Sequence, residues 1–171
     1  HPPPPHPPTH TPNIYFQVYD VIRVYLSSLG LGVVYNRQGI TCQIDIYGAG
    51  PLKLALQNQI ASSGLTSVTL KGWSDDLKSI FADADLFCSP SLDEPFGLVI
   101  GEAMAMGLPV IASDTDGASE LFGINTGSAD AALQHGGMII PAGDTAALAA
   151  AIGRFCACLL YTSDAADEHS W

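Results

Sequence analysis

A repeated alternation constrains the fold more than any other feature: short apolar runs, each closed by glycine, proline, serine or aspartate, are followed by helix-compatible segments of about ten residues. Residues 40–47 alternate apolar and polar side chains and stop at Gly48-Ala49-Gly50-Pro51, which reads as strand, turn and helix, the helix covering 52–62. Residues 67–70 form a second short strand pattern closed by Gly72, and Ser74 is placed to cap a helix over 75–82, with Asp75 and Asp76 complementing its N-terminus. A third strand over 85–88 leads through a Ser/Pro/Asp loop into a helix that begins near Gly97 and ends at Gly107. Then come a strand over 108–112, a loop over 113–117, a short helix over 118–121, a strand over 136–141, and a helix over 145–155 capped by Asp144. Ahead of this series, residues 14–35 are rich in β-branched and aromatic side chains without a clean period, and a helix over 18–29, ended by Gly30, fits them best.

Strands alternating with helices imply right-handed βαβ units and a parallel sheet covered on both faces. The fold class expected is therefore α/β, a doubly wound, Rossmann-like parallel sheet. In such sheets ligands bind outside the carboxyl ends of the strands. Residues 48–51, Gly72, residues 89–97 and residues 113–117 all fall at such ends and should line one rim.

Both ends of the chain stand apart from that pattern. Residues 1–13 are a proline-rich stretch with interspersed histidines, suited to an extended or disordered arm. Residues 158–171 resemble the translation of a transposon-type sequencing adapter and are expected to be an artefactual tail, which leaves 14–157 as the domain. The chain carries 17 acidic and six basic residues, and without the three acids of the tail it is still at −8. Such a domain is poorly suited to nucleic acid or to an anionic membrane surface. Cys42 and Cys88 fall in apolar strands, Cys156 and Cys158 lack a usual zinc spacing, and reduced core thiols of a cytoplasmic protein account for them. No run has the length of a membrane span and the opening residues show no signal-peptide pattern. A cytoplasmic location is expected, with peripheral attachment at the inner face of a membrane open to a full-length protein.

Polar chemistry interrupts the apolar pattern chiefly over residues 89–107. Glu94 and Glu102 have seven residues between them, and Glu102 is the one charge from Gly97 to Gly107, so this helix is expected to be mostly buried and Glu102 to have a partner. The turn Pro95-Phe96-Gly97-Leu98 opens the helix, whose N-terminus offers unpaired N–H groups to an anion such as phosphate. Glu102 lies at i+4 from Leu98, on the same helix face, and could accept from a diol such as ribose. On spacing alone, solvated loop acids and ordinary turns produce such patterns more often than binding sites do.

The run Pro90-Ser91-x-x-Glu94-Pro95-Phe96-Gly97-Leu98-Val99-x-x-Glu102-Ala103-Met104-Ala105-x-Gly107-x-Pro109-Val110-x-Ala112-Ser113-Asp114 resembles the donor-site signature of the family-4 retaining glycosyltransferases with the two-domain GT-B fold. Gly48-Ala49-Gly50-Pro51, Gly117-x-x-Glu120 and Gly137-Met138-Ile139-Ile140-Pro141-x-Gly143-Asp144 agree with it, and the resemblance covers about 43–152. It implies one half of a GT-B enzyme, the C-terminal, nucleotide-sugar-binding half. Glu94 would be the catalytic residue, holding donor-sugar hydroxyls and supporting the transition state. Glu102 would hold the ribose diol, and the amides of Phe96, Gly97 and Leu98, in the turn with Pro95, would meet the diphosphate. Gly48 and Gly50 would let the chain pass near the nucleotide, with Gly72 and Trp73 near the base. The resemblance also implies a nucleoside diphosphate sugar as donor substrate, no cofactor, no required metal ion, and a partner N-terminal domain that binds the acceptor.

The chain departs from that pattern at one point. Family members carry an Arg and a Lys early in this domain that clamp the diphosphate, whereas 14–35 offers only Arg23, in no matching context. The expectation is weak donor binding with little or no transfer. A sugar-nucleotide epimerase of related architecture and a non-catalytic fragment are the alternatives. Among other residues, His135 reads as a loop histidine, Trp73 as a base-stacking or corner-filling aromatic, Met104 and Met106 as core, and Asp114 and Asp116 as turn formers and caps rather than metal ligands.

Overall fold

A computed structural model describes residues 11–17, 42–123 and 136–167. Within them the elements run β1 (Asn13–Gln17), β2 (Gln43–Tyr47), α1 (Lys53–Ser62), β3 (Val68–Gly72), α2 (Leu77–Ala82), β4 (Leu86–Ser89), α3 (Leu98–Ala105), β5 (Val110–Ser113), α4 (Asp116–Phe122), β6 (Gly137–Ile140) and α5 (Thr145–Asp167). The strands form one parallel sheet in the order β3-β2-β1-β4-β5-β6. That order makes this a doubly wound, Rossmann-like α/β fold, with its topological switch between β1 and β4.

Side-chain alternation along the strands divides the core in two. Ile14, Phe16, Ile44, Ile46, Leu86, Cys88, Ile111, Met138 and Ile140 pack on one face beneath Leu56 of α1 and Leu148, Ala151, Ile152 and Cys156 of α5. Tyr15, Phe87, Val110, Ala112 and Ile139 pack on the other beneath Phe81 of α2, Ile100 and Ala103 of α3, and Ala118 and Phe122 of α4. Tyr15, Phe81 and Phe87 lie with ring centroids 5.1–5.5 Å apart, the edge-on and offset spacing that aromatic rings prefer. The alternation seen over 40–47 has a physical counterpart: on the second face, beyond the helices, Gln43 bonds Thr69 (3.1 Å) and Asp45 pairs with Lys71 (3.3 Å), while Ile44 and Ile46 enter the core. Three of the thiols are buried. Burial pushes that of Cys88 up, and a hydrogen bond between the other two lowers Cys42 and raises Cys156.

Several boundaries differ from expectation. The central strand β1 starts at Asn13, and buried Pro12 accepts the Gln43 N–H at 2.8 Å, so the sheet reaches into the stretch assigned to the arm. Its three-residue core, Ile14-Tyr15-Phe16, is covered on both faces and so shows no alternation from which a strand could be read. The helix expected over 18–29, with Arg23, lies outside the described residues, as does His135. Ser74 does not cap α2; the Asp76 carboxylate accepts from Ser79 N, and Ser74 Oγ instead accepts the Asp76 N–H. Asp144 does cap its helix, accepting from Ala147 N at 2.9 Å. That helix, α5, runs past Phe155 to Asp167, because neither proline nor glycine interrupts it after Gly153.

Candidate functional site

In a wholly parallel sheet every strand ends at the same rim, so the loops after β2, β3, β4 and β5 converge there as the sequence predicts. After β4, the buried Ser89 and Pro90 carry the chain to the turn at 94–97. Gly97 has φ +61°, the left-handed region that glycine enters without a Cβ penalty, and α3 starts directly after it with no side-chain cap. The first α3 bond runs from Gly101 N to Gly97 O, at 2.9 Å. A helix opened this way leaves the N–H groups of its first turn to solvent or to a ligand.

Two sets of contacts hold the turn. The Glu94 carboxylate accepts the Gly97 N–H at 3.2 Å, and the Glu94 carbonyl accepts the N–H of Gly117, in the first turn of α4, at 2.9 Å. Glu94 is half-buried, while Pro95, Phe96 and Leu98 are exposed. Phe96 and Leu98 are 75% and 72% accessible, so their side chains are not what fixes the turn. Across β5, Asp114 accepts from Ser119 Oγ at 2.6 Å and Asp116 opens α4, which gives both aspartates the turn and helix-start roles expected of them.

The expectation of a mostly buried α3 is overturned. Of its residues only Ile100 and Ala103 are buried, and Glu102 is exposed, with no hydrogen bond or ion pair to its carboxylate among the described residues. The missing charges mark an outward face that carries Leu98 and Ala105, not a helix sunk into the core. Leu98 and Glu102 do share that face, as their spacing requires. Met106 is likewise 45% accessible rather than core.

The other half of the rim is built from glycine. Gly48 (φ +143°) donates its N–H to the Gly72 carbonyl at 2.8 Å, and Gly72 (φ +82°) has nothing within 4 Å of where a Cβ would stand. Gly50 accepts the Lys53 N–H as the chain enters α1. Trp73 does not fill the corner between strand and helix: it is 65% accessible, with Nε1 donating to Asp75 at 2.7 Å. An apolar cavity of about 160 Å³ lies at the opposite, amino end of β4–β6, between Leu86, Pro109, Met138 and Phe155, and holds none of these groups. Among the described residues no three His, Cys, Asp or Glu are placed to share a metal ion, and no helix is long and apolar enough to cross a membrane.

A Rossmann-like sheet with a glycine-opened helix at the switch-side rim is shared by many nucleotide-binding proteins, so the sequence must decide among them. The family described as glycosyl transferases group 1 matches residues 21–157, well over half the chain. The chain belongs to that family. It is 34% identical over 140 residues to the amylovoran biosynthesis glycosyltransferase AmsK of Erwinia amylovora, a match covering 73% of this chain and 32% of AmsK. It is 39% identical over 116 residues to an exopolysaccharide phosphotransferase of Streptomyces coelicolor, covering 66% of this chain and 11% of that protein. Its fold matches sucrose-phosphate synthase of Thermosynechococcus elongatus, a structure of 26% identity, with a TM-score of 0.68 over 92% of this chain and 39% of that one. This glycosyltransferase group 1 domain thus spans a third or less of these two relatives' length.

Gly117 was visible only as part of the Gly117-x-x-Glu120 spacing, and that spacing gave no hint that its N–H holds the Glu94 backbone. The packing of Leu121 against the Gly97 turn had no signal in the sequence at all.

Proposed function

We propose that this chain is the donor-binding domain of a family-4, retaining glycosyltransferase that transfers sugar from a nucleoside diphosphate sugar. The observation that carries this reading is the turn at 94–97: a left-handed glycine opens an uncapped helix at the carboxyl rim, and Glu94 is tied to it through side chain and backbone. In this reading the amides of Phe96, Gly97 and Leu98 meet the diphosphate, Glu94 holds donor-sugar hydroxyls, and exposed Glu102 accepts from the ribose diol one helical turn away. Gly48, Gly50 and Gly72 let the nucleotide approach the backbone, with Trp73 free to stack on the base. Among the described cations, Lys71 is engaged by Asp45, so backbone dipoles and Lys53, just after the 48–51 turn, are the donors nearest in sequence to the rim. Positioned dipoles of this kind stabilise the charge of a leaving diphosphate.

Acceptor choice and transfer are assigned to the rest of a longer, AmsK-like protein, so this chain alone should bind donor weakly and turn over little. The test is thermal protection by uridine, guanosine and adenosine diphosphates and their glucose conjugates. At least one should raise the melting temperature, and Glu102→Ala should abolish the rise while leaving the unliganded melting temperature unchanged. If no nucleotide protects the chain and Glu102→Ala is indistinguishable from the parent, the reading fails.

A further inference from the structure

The rim contains one glycine whose necessity is steric. Gly117 lies in the first turn of α4, away from the positive-φ region, so an L-residue would be acceptable there on backbone conformation alone. A Cβ at that position, however, would sit 2.6 Å from the Glu94 carbonyl oxygen, 2.6 Å from the Gly97 nitrogen and 2.6 Å from the Phe96 carbonyl carbon. All three are backbone atoms, so no side-chain rotation relieves the contact. The bond from Gly117 N to Glu94 O, at 2.9 Å, draws α4 onto this spot.

We propose that Gly117 is a positioning residue for the diphosphate-facing turn, its bare Cα forming the wall against which residues 94–97 are held. It touches neither sugar nor phosphate. It acts through Glu94, whose carbonyl it bonds, and through Gly97, whose nitrogen, bonded to the Glu94 carboxylate, can keep its place only while α4 packs this close. The proposal rests on the donor-binding reading above. Leu121 Cδ1, 2.8 Å from where a Gly97 Cβ would stand, closes the same wall one turn further along α4, so a single helix face sets the shape of the turn.

The test compares Gly117→Ala with Gly101→Ala, whose added methyl would meet only Leu121 at 3.7 and 3.9 Å. Both variants and the parent are titrated with uridine, guanosine and adenosine diphosphates and with the three unphosphorylated nucleosides. For the diphosphate that the parent binds, Gly117→Ala should weaken affinity tenfold or more while changing affinity for the nucleoside less than threefold; Gly101→Ala should change neither. A merely structural role would lower both affinities together. Equal affinities in Gly117→Ala and the parent would overturn the proposal and leave the donor-binding reading standing, whereas a parent that binds no diphosphate would overturn both. Should Gly117→Ala not fold, hydrogen exchange of the parent decides: the Gly117 amide should gain at least tenfold more protection with saturating diphosphate than with saturating nucleoside, and equal protection would overturn the proposal.

Discussion

The two halves of the carboxyl rim are held in shape by different means. After β3, beyond the bond from Gly48 N–H to the Gly72 carbonyl, side chains bond near neighbours: Trp73 bonds Asp75, Ser74 bonds Asp76 and Asp76 bonds Ser79, each within three positions, and a Cβ on Gly72 would meet nothing within 4 Å. After β4, the turn is shaped from twenty or more residues away, by Gly117 and Leu121 pressed against 94–97. A locally bonded corner can shift to suit what it meets. A turn braced by another helix keeps its amides where they are, which is the property a site for a charged group needs.

Substitutions can break or sharpen this contrast. Gly97→Ala should be the most damaging of the set: the left-handed backbone costs an L-residue roughly 1–2 kcal/mol, and the new methyl must also displace Leu121. Gly72→Ala pays the backbone term of roughly 1–2 kcal/mol with no collision, so its melting temperature should lie between those of Gly97→Ala and the parent. If the two glycines prove equivalent by thermal denaturation, bracing by α4 contributes nothing. Glu102→Ala, at an exposed site, should stay within about 0.5 kcal/mol of the parent in stability while losing nucleotide protection.

The smallest effect belongs to the local side. Hydrogen bonds from Ser79 hold the Asp76 carboxyl below its ordinary value of 3.8. A carboxylate with a depressed folded pKa contributes stability above its unfolded pKa and loses it as pH falls through the folded one. Asp76→Asn should therefore lower the melting temperature slightly near neutral pH, and that difference should vanish on acidification below 3.8. A difference independent of pH would remove the charged cap from the account.

The same contrast explains what could be read from the sequence. Strand and helix order, and the loops that converge at the rim, follow from apolar periodicity and glycine or proline punctuation, both of which are local. Asp144 as a cap, and Asp114 and Asp116 at the start of α4, are local too. The expectations that failed concern relations across the chain. Ile14-Tyr15-Phe16 hid the central strand because burial on both faces erases alternation. The charge-poor α3 reads as a buried helix because sequence does not distinguish an apolar face turned inward from one turned outward at a rim. Glu94 and Glu102 stand out as a pair in the sequence, but one is bonded within its turn and the other is exposed.

The most direct test of the central claim, that the braced turn after β4 receives the diphosphate, is amide-resolved NMR of the chain titrated with a nucleoside diphosphate and with its nucleoside. The account predicts that the amides of Phe96, Gly97 and Leu98 shift with the diphosphate and not with the nucleoside, while those of Gly72 and Trp73 shift with both. Diphosphate-specific shifts at Gly72 and Trp73, with Phe96, Gly97 and Leu98 unmoved, would contradict it.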